Sequence, residues 1–464
     1  MEGLTSIKST GSDWKAVPAL AAEWEVVSPN EIKFSLRPDV RWSDGQHLKA
    51  IHFVNAWRKL LAPETRAPFA YLLFGIVNAR AFHEGRLPFS QVGVSIVDDN
   101  TLMVRLVGGA ANFPLVTGHP ATWPTPSSAD RETLPGPILG PFSLEKTSPG
   151  AFWRYVRNPH YYGTRSALDT IEIRYVPNPS LRIDLYLNGE SDLVDDIPDT
   201  YLPPIARNPG LTGEPTNEVL SLVFNTARPL LASPNARQAF QSAINPEELV
   251  RLVGHNDLPA GQLFPPIAAT SVWVPQLPLA SAKEMLFPPA VDLPVPPRVS
   301  PHPTLAFPKS LISPEVAENI QAQILRSLEI KIELIPVANW EFVPDDYAMY
   351  LAPLTSNPLL PLGPFEPFTG SRERAGNVPW GQRNPSHWKN RTFDGWLIKA
   401  QAANTSTQWM TALQQAQDLL LTKEAVVIPL AIRTRNVLRR PHVKNLVQSP
   451  LELWDFSDAT MLTN

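Results

Sequence analysis

Cysteine is absent from this 464-residue chain. Disulfides, thiolate nucleophiles and cysteine-bound metals are therefore excluded. The absence does not place the protein in a compartment, because extracytoplasmic proteins can do without disulfides. No apolar run of about eighteen residues occurs, so no segment reads as a membrane-spanning helix. Charge is nearly balanced at −4 and there is no long basic run, which argues against a nucleic-acid partner. The nine histidines form no HExxH motif and no i, i+4 pair. His47 and His52, five apart, are expected to be a surface pair rather than metal ligands. There is no GxGxxG and no Walker loop, so no cofactor is implied. Ser143-Leu144-Glu145-Lys146 and Ser386-His387-Trp388-Lys389 match the bare S-x-x-K spacing without its companion motifs. No constellation supports a hydrolase, and the chain does not read as an enzyme.

What is present is a proline-rich globular composition. Hydrophobic residues make up 43%, and 464 residues suffice for two or three lobes. The 51 prolines are roughly twice ordinary usage, and they concentrate between Pro259 and Pro308. Proline removes a backbone donor and restricts its predecessor, which predicts many extended segments and short helices.

The stretch from Ala19 to Arg58 carries the most information. Ile32, Phe34 and Leu36 alternate with Lys33, Ser35 and Arg37, the period of a strand with one buried face. Ser43-Asp44-Gly45 has turn chemistry. Phe53, Val54, Trp57, Leu60 and Leu61 then recur at helical spacing. This order resembles the "F-x-L-R-x-x-V-x-W-S-D-G … D-F-V-x-S-W" signature of the extracytoplasmic solute-binding proteins of peptide and nickel ABC importers. The resemblance continues down the chain. Gly93 to Leu106 matches "G-V-x-A-x-D-D-x-T-L-x-V-x-L". Gly140-Pro141-Phe142, Asn158-Pro159-His160-Tyr161-Tyr162, Gly189-Glu190-Ser191-Asp192 and Phe224-Asn225-Thr226 match four shorter motifs, and Arg237 sits in "V-R-x-A". Glu2-Gly3-Leu4 resembles an "E-G-L" that follows the family's first strand and helix. By that likeness this chain starts about forty residues into the mature sequence.

The resemblance implies an α/β, two-lobed periplasmic-binding-protein fold of the peptide-binding cluster, with an additional small lobe. It places the first lobe in residues 1–17, 137–225 and 433–464, the small lobe in 18–136 and the third lobe in 226–432. Periodicity alone predicts strands near 92–98, 101–106, 171–176, 330–334 and 426–430. It also predicts helices from Ser313 and through Trp409, Leu413, Ala416, Leu419 and Leu420. Ser313-Pro314-Glu315 is read as a capped helix start.

By the same resemblance the function is capture of a peptide or peptide-like solute between lobes by hinge closure, for delivery to an ABC permease in the membrane. The expected location is periplasmic or extracytoplasmic, and the expected state is a monomer. The alternative is a sensory ligand-binding domain, or a degenerate scaffold that binds protein partners. Implied ligand-facing residues are Phe69 and Tyr71 from the small lobe, Asp195, Asp196 and Asn225 near the hinge, Tyr350, Ala352 and Leu354 on a third-lobe strand, and Trp380. One departure stands out. The family's "G-W-x-A-D-Y-x-D-P" carries the aspartate that pairs with a peptide's amino terminus. Its best match is Tyr350 to Pro358, which puts Leu354 at the aspartate's place. A leucine cannot neutralise a buried ammonium. Either the ligand lacks a free amine, or another acid such as Asp195 or Asp196 supplies the charge, or binding has been lost. Two further departures are Lys49 at the start of the helix after Gly45, and Glu329 where a glycine would close the Ser313 helix.

Overall fold

The computed structural model describes residues 2–9, 14–67, 69–110, 112–126, 136–148, 150–253, 256–264, 281, 284, 286, 302–309, 312–338, 347–355, 362–370, 384, 386–403, 405–449 and 451–462. The chain divides into two compact units. Unit 1 holds residues 1–212, 401–409 and 436–464, and unit 2 holds 213–400 and 410–435.

Unit 1 begins with a hairpin of β1 (Thr5–Ser9) and β2 (Trp14–Pro18). A four-stranded antiparallel sheet follows, ordered β3 (Ala21–Ser28), β4 (Glu31–Leu36), β6 (Thr101–Arg105), β5 (Val94–Asp98). The alternation in β4 works as anticipated: Ile32, Phe34 and Leu36 are buried. Helix α1 (Ala50–Leu61) covers this core with Phe53, Ala56, Trp57 and Leu61, one stripe at helical spacing. Trp57 packs edge-on against Phe113 at 6.0 Å, and its indole N–H donates to the Thr122 carbonyl at 2.8 Å. A second antiparallel sheet joins β7 (Phe142–Ser148), β8 (Phe152–Arg157) and β9 (Thr170–Arg174). Two short helices, α2 (Ala79–His83) and α3 (Phe113–Val116), lie in the first half of the unit. Helix α4 (Pro179–Leu187) leads into β10 (Leu193–Ile197).

Unit 2 is built on β11 (Leu211–Phe224) and the long strand Val427–Arg439, with β12 (Leu258–Pro259) beside the latter. Next to β11 lie the strand Met349–Thr355, then β13 (Thr304–Pro308), then β14 (Glu333–Val337). The boundary between the units falls within β11 and within Val427–Arg439. Helices α5 (Pro234–Ala243) and Pro314–Leu328 bury Phe240, Val316, Ile320 and Ile324 in a core shared with Leu222, Phe224, Leu305 and Leu351.

Several local expectations are corrected. His52 is not a surface residue: it is buried, while His47 is exposed. His52 Nδ1 accepts from the Lys49 N–H at 3.1 Å and from the Trp42 indole at 3.3 Å. It thus caps α1 in place of the missing N-terminal acceptor side chain. The Asp99 carbonyl takes the Ala50 N–H at 2.8 Å, and the Asp99 carboxylate pairs with Lys49 at 2.8 Å. Ser313 does precede its helix, but its hydroxyl makes no capping bond and is buried without a partner among the described residues. The strand predicted from Ile330 starts at Glu333, because Ile332 turns into the core. Leu419 and Leu420 leave the α-helix Ser406–Asp418 and enter a π-helical turn over Leu419–Lys423. Glu329 adopts the left-handed conformation at φ 61°, and its N–H closes the helix on the Leu325 carbonyl at 3.0 Å.

Candidate ligand-binding site

In unit 1, a single 3₁₀ turn, Ala70–Leu73, presents two aromatic side chains. Burial of Ala70, Leu72 and Leu73 anchors the turn and leaves Phe69 and Tyr71 exposed, at 42% and 39%. Their rings lie 6.4 Å apart. A third ring joins them: His119, 5.0 Å from Phe69. The His119 Nδ1 accepts from the Ala121 N–H at 3.0 Å, which leaves the ring hydrogen on Nε2. Burial lowers the His119 pKa to about 4, so the ring is neutral at pH 7. The result is an aromatic cluster, exposed at Phe69 and Tyr71 and half-buried at His119, with one ring N–H donor, suited to stacking on apolar or aromatic groups. Sequence reasoning missed His119. Fifty positions separate it from Phe69, and no spacing links them.

Asp195 and Asp196 form a bulge in β10. Leu193 and Val194 pair with Arg439 and Leu438, and the register slips before Ile197 meets Asn436. Asp195 is engaged by three neighbours. Its Oδ2 accepts from the Trp454 indole at 2.7 Å and its Oδ1 from the Asp196 N–H at 2.8 Å. The Asp195 carbonyl accepts from the Arg182 guanidinium at 3.0 Å. Asp196 is exposed and holds φ 55°, a left-handed conformation that costs a non-glycine residue about 1 kcal/mol. Its exposed carboxylate can meet a cation.

In unit 2, Asn225 directly follows β11 and is buried. Its N–H donates to the Ala348 carbonyl at 2.9 Å, its amide to the Tyr347 carbonyl at 3.0 Å, and its Oδ1 accepts from the Ala227 N–H at 3.0 Å. The side chain thereby ties the end of β11 to the start of Met349–Thr355. Tyr350 packs edge-on against Tyr347 at 6.0 Å. Tyr350, Ala352 and Leu354 share one face of their strand, opposite Val223, Ser221 and Val219, and all three are buried. Pro353 is tolerated because β13 pairs with this strand only at Met349 and Tyr350. At Pro353, β11 is the only neighbouring strand among the described residues. No acid occurs between Met349 and Thr355. Trp380 lies outside the described residues. Among those residues, no group of three His, Asp or Glu side chains is placed to hold a metal.

Two motifs that are remote in sequence meet in unit 1. The Tyr161 and Tyr162 hydroxyls donate to the two carboxylate oxygens of Glu2, at 2.6 and 2.5 Å. Burial, reinforced by Glu2, pushes both phenols far above their ordinary pKa. The neighbouring Gly3 is required sterically, because a Cβ there would lie 2.2 Å from the Thr117 carbonyl oxygen.

A model of the bacterial extracellular solute-binding proteins, family 5, middle region, matches residues 15–376. The chain belongs to this family. As a family 5 protein it is similar to the dipeptide-binding protein DppE of Bacillus subtilis, at 24% identity over 97% of this chain and 84% of that one. It is similar to a probable deoxycholate-binding periplasmic protein of Escherichia coli, YgiS, at 26% identity over 95% of this chain and 84% of that one. Among solved structures, the unliganded open form of the murein tripeptide-binding protein MppA matches with a TM-score of 0.87. That match covers all of this chain and 92% of the other at 23% identity. The likeness establishes the two-lobed α/β fold of the periplasmic peptide-binding proteins.

Proposed function

We propose that this family 5 protein captures a peptide or peptide-like solute without chemical change and delivers it to an ABC import permease. The family match over residues 15–376 carries this reading. The relatives named for dipeptides and murein peptides supply the ligand class. In this reading Phe69, Tyr71 and His119 stack on ligand side chains, Asp196 offers the charge for a ligand cation, and Asp195 holds Asp196 in place. Asn225 lies near the hinge, and Tyr350, Ala352 and Leu354, with Trp380, provide the third-lobe wall. Capture takes place outside the cytoplasm, in the periplasm or at the outer face of the membrane, by a monomer.

A second ligand class is favoured by a specific observation. Leu354 stands where the family's amine-binding acid is expected, and the strand around it has no carboxylate. A ligand without an amine, such as the bile acid in the name of the E. coli relative, meets no penalty there.

The test is a thermal-shift screen with free di- to pentapeptides, amino-blocked peptides and deoxycholate. A saturating ligand that binds only the folded state raises the midpoint. A shift with free peptides that Asp196→Asn abolishes supports amine recognition by Asp196. Shifts only with blocked peptides or deoxycholate assign the amine-free class. A protein that melts cooperatively and shifts with none of them refutes capture of these solutes.

A further inference from the structure

We propose that unit 1 carries a separate binding site for the oxyanion group of a small solute, between the end of β8 and the loop 158–166. A pocket of 380 Å³ lies there, lined by residues that include Pro141, Arg157, Asn158, Tyr161, Arg165 and Ser166. Its size falls at the small-metabolite end of ligand cavities.

The chemistry follows from which groups are already used. The Pro141 carbonyl accepts from the Asn158 N–H at 2.8 Å, and the Asn158 carbonyl from the Tyr161 N–H at 3.3 Å. Asn158 Oδ1 accepts from the His160 N–H at 3.0 Å, while its amide donates to the Gly140 carbonyl at 2.9 Å. The Tyr161 hydroxyl is committed to Glu2. The Pro141 and Asn158 carbonyls and Asn158 Oδ1 thus each already accept one hydrogen bond. Donors are left over. Arg157 gives one guanidinium nitrogen to Asp169 at 2.8 Å, a carboxylate that is 86% exposed and well screened by water. The Arg157 Nε is buried with no acceptor among the described residues. Arg165 is exposed and makes no ion pair or hydrogen bond with a described residue. Ser166 is buried, and its oxygen accepts from the Leu168 N–H at 3.3 Å, which leaves the hydroxyl hydrogen to donate. Two guanidinium groups and a hydroxyl facing one pocket, with no carboxylate among its described lining residues, favour a phosphate or carboxylate over a cation.

The site shares no residue with those proposed for peptide capture, so the two readings fail separately. The oxyanion can belong to a free solute or to a lipid headgroup, and the experiment separates them. The full chain is titrated calorimetrically with inorganic phosphate in low-salt buffer at pH 7, with sodium chloride at matched ionic strength as control. It is also sedimented with phosphatidylglycerol or phosphatidylcholine vesicles. Saturable phosphate binding, weakened roughly tenfold or more in Arg165→Gln, supports a free-solute site. Sedimentation with phosphatidylglycerol alone, lost in Arg165→Gln without phosphate binding, supports a headgroup site. Arg157→Gln is expected to act in the same direction as Arg165→Gln. The proposal is overturned if chloride reproduces the phosphate signal, if Arg165→Gln binds as the parent does, or if neither probe binds.

Discussion

Replacing Arg237 by methionine is expected to destabilise unit 2 by about 3–5 kcal/mol. The side chain is 1% exposed, and its guanidinium makes four hydrogen bonds. Nε donates to the Glu424 carbonyl at 2.8 Å, and Nη1 donates to the Leu231 and Ala232 carbonyls at 2.8 and 2.9 Å. Nη2 pairs with the Glu424 carboxylate at 3.3 Å, which also accepts from the Trp388 indole at 3.3 Å. Burial lowers the Arg237 pKa, and Glu424 opposes that shift. Methionine fills similar space but leaves three backbone carbonyls without their donor, each worth about 1–3 kcal/mol when buried. Glu424→Gln removes only the ion pair and keeps every backbone acceptor. Because Glu424 is 26% exposed, that change should cost about 1 kcal/mol. Urea unfolding of both variants beside the parent reads the difference. The reasoning fails if Arg237→Met lies within about 1 kcal/mol of the parent, or if Glu424→Gln costs as much as Arg237→Met.

Three other outcomes are expected. Glu329→Gly should raise the thermal midpoint, with a gain of about 1 kcal/mol, because glycine adopts φ 61° without a Cβ penalty; an unchanged or lower midpoint counts against this. Stability should fall as pH drops from 6.5 toward 4. The folded pKa values of His119 and His52 lie below the unfolded one, so the unfolded state takes up protons first and stability is full only above about pH 6.5. His119→Asn, which keeps an acceptor for the Ala121 N–H, should flatten the pH dependence seen in urea titrations; parallel curves for parent and variant would falsify the assignment. Gly3→Ala should cost about 1–3 kcal/mol, since the Thr117 carbonyl must move away from the new methyl group; a parent-like midpoint in urea would show that the chain start relaxes freely.

What the sequence determined by itself is local and periodic. Burial of every second residue makes Glu31–Leu36 a strand, and a stripe at helical spacing makes Ala50–Leu61 a helix. These signals depend only on near neighbours, so they survive without any knowledge of the fold. The family was legible for the same reason: turn, strand and helix residues recur in a fixed order. Even the left-handed position of Glu329 was legible, through the glycine that the resemblance puts there.

Only the tertiary structure decided the rest. His47 and His52 look alike in sequence, yet one is exposed, while the other is buried against Trp42 and caps α1. His119 joins Phe69, Trp454 holds Asp195, and Tyr161 and Tyr162 hold Glu2 across 159 and 160 positions. Periodicity carries no record of which distant segments meet. A hydrogen bond or ring contact between them depends on chain path, and the hydrophobic pattern constrains that path only through which faces must be buried.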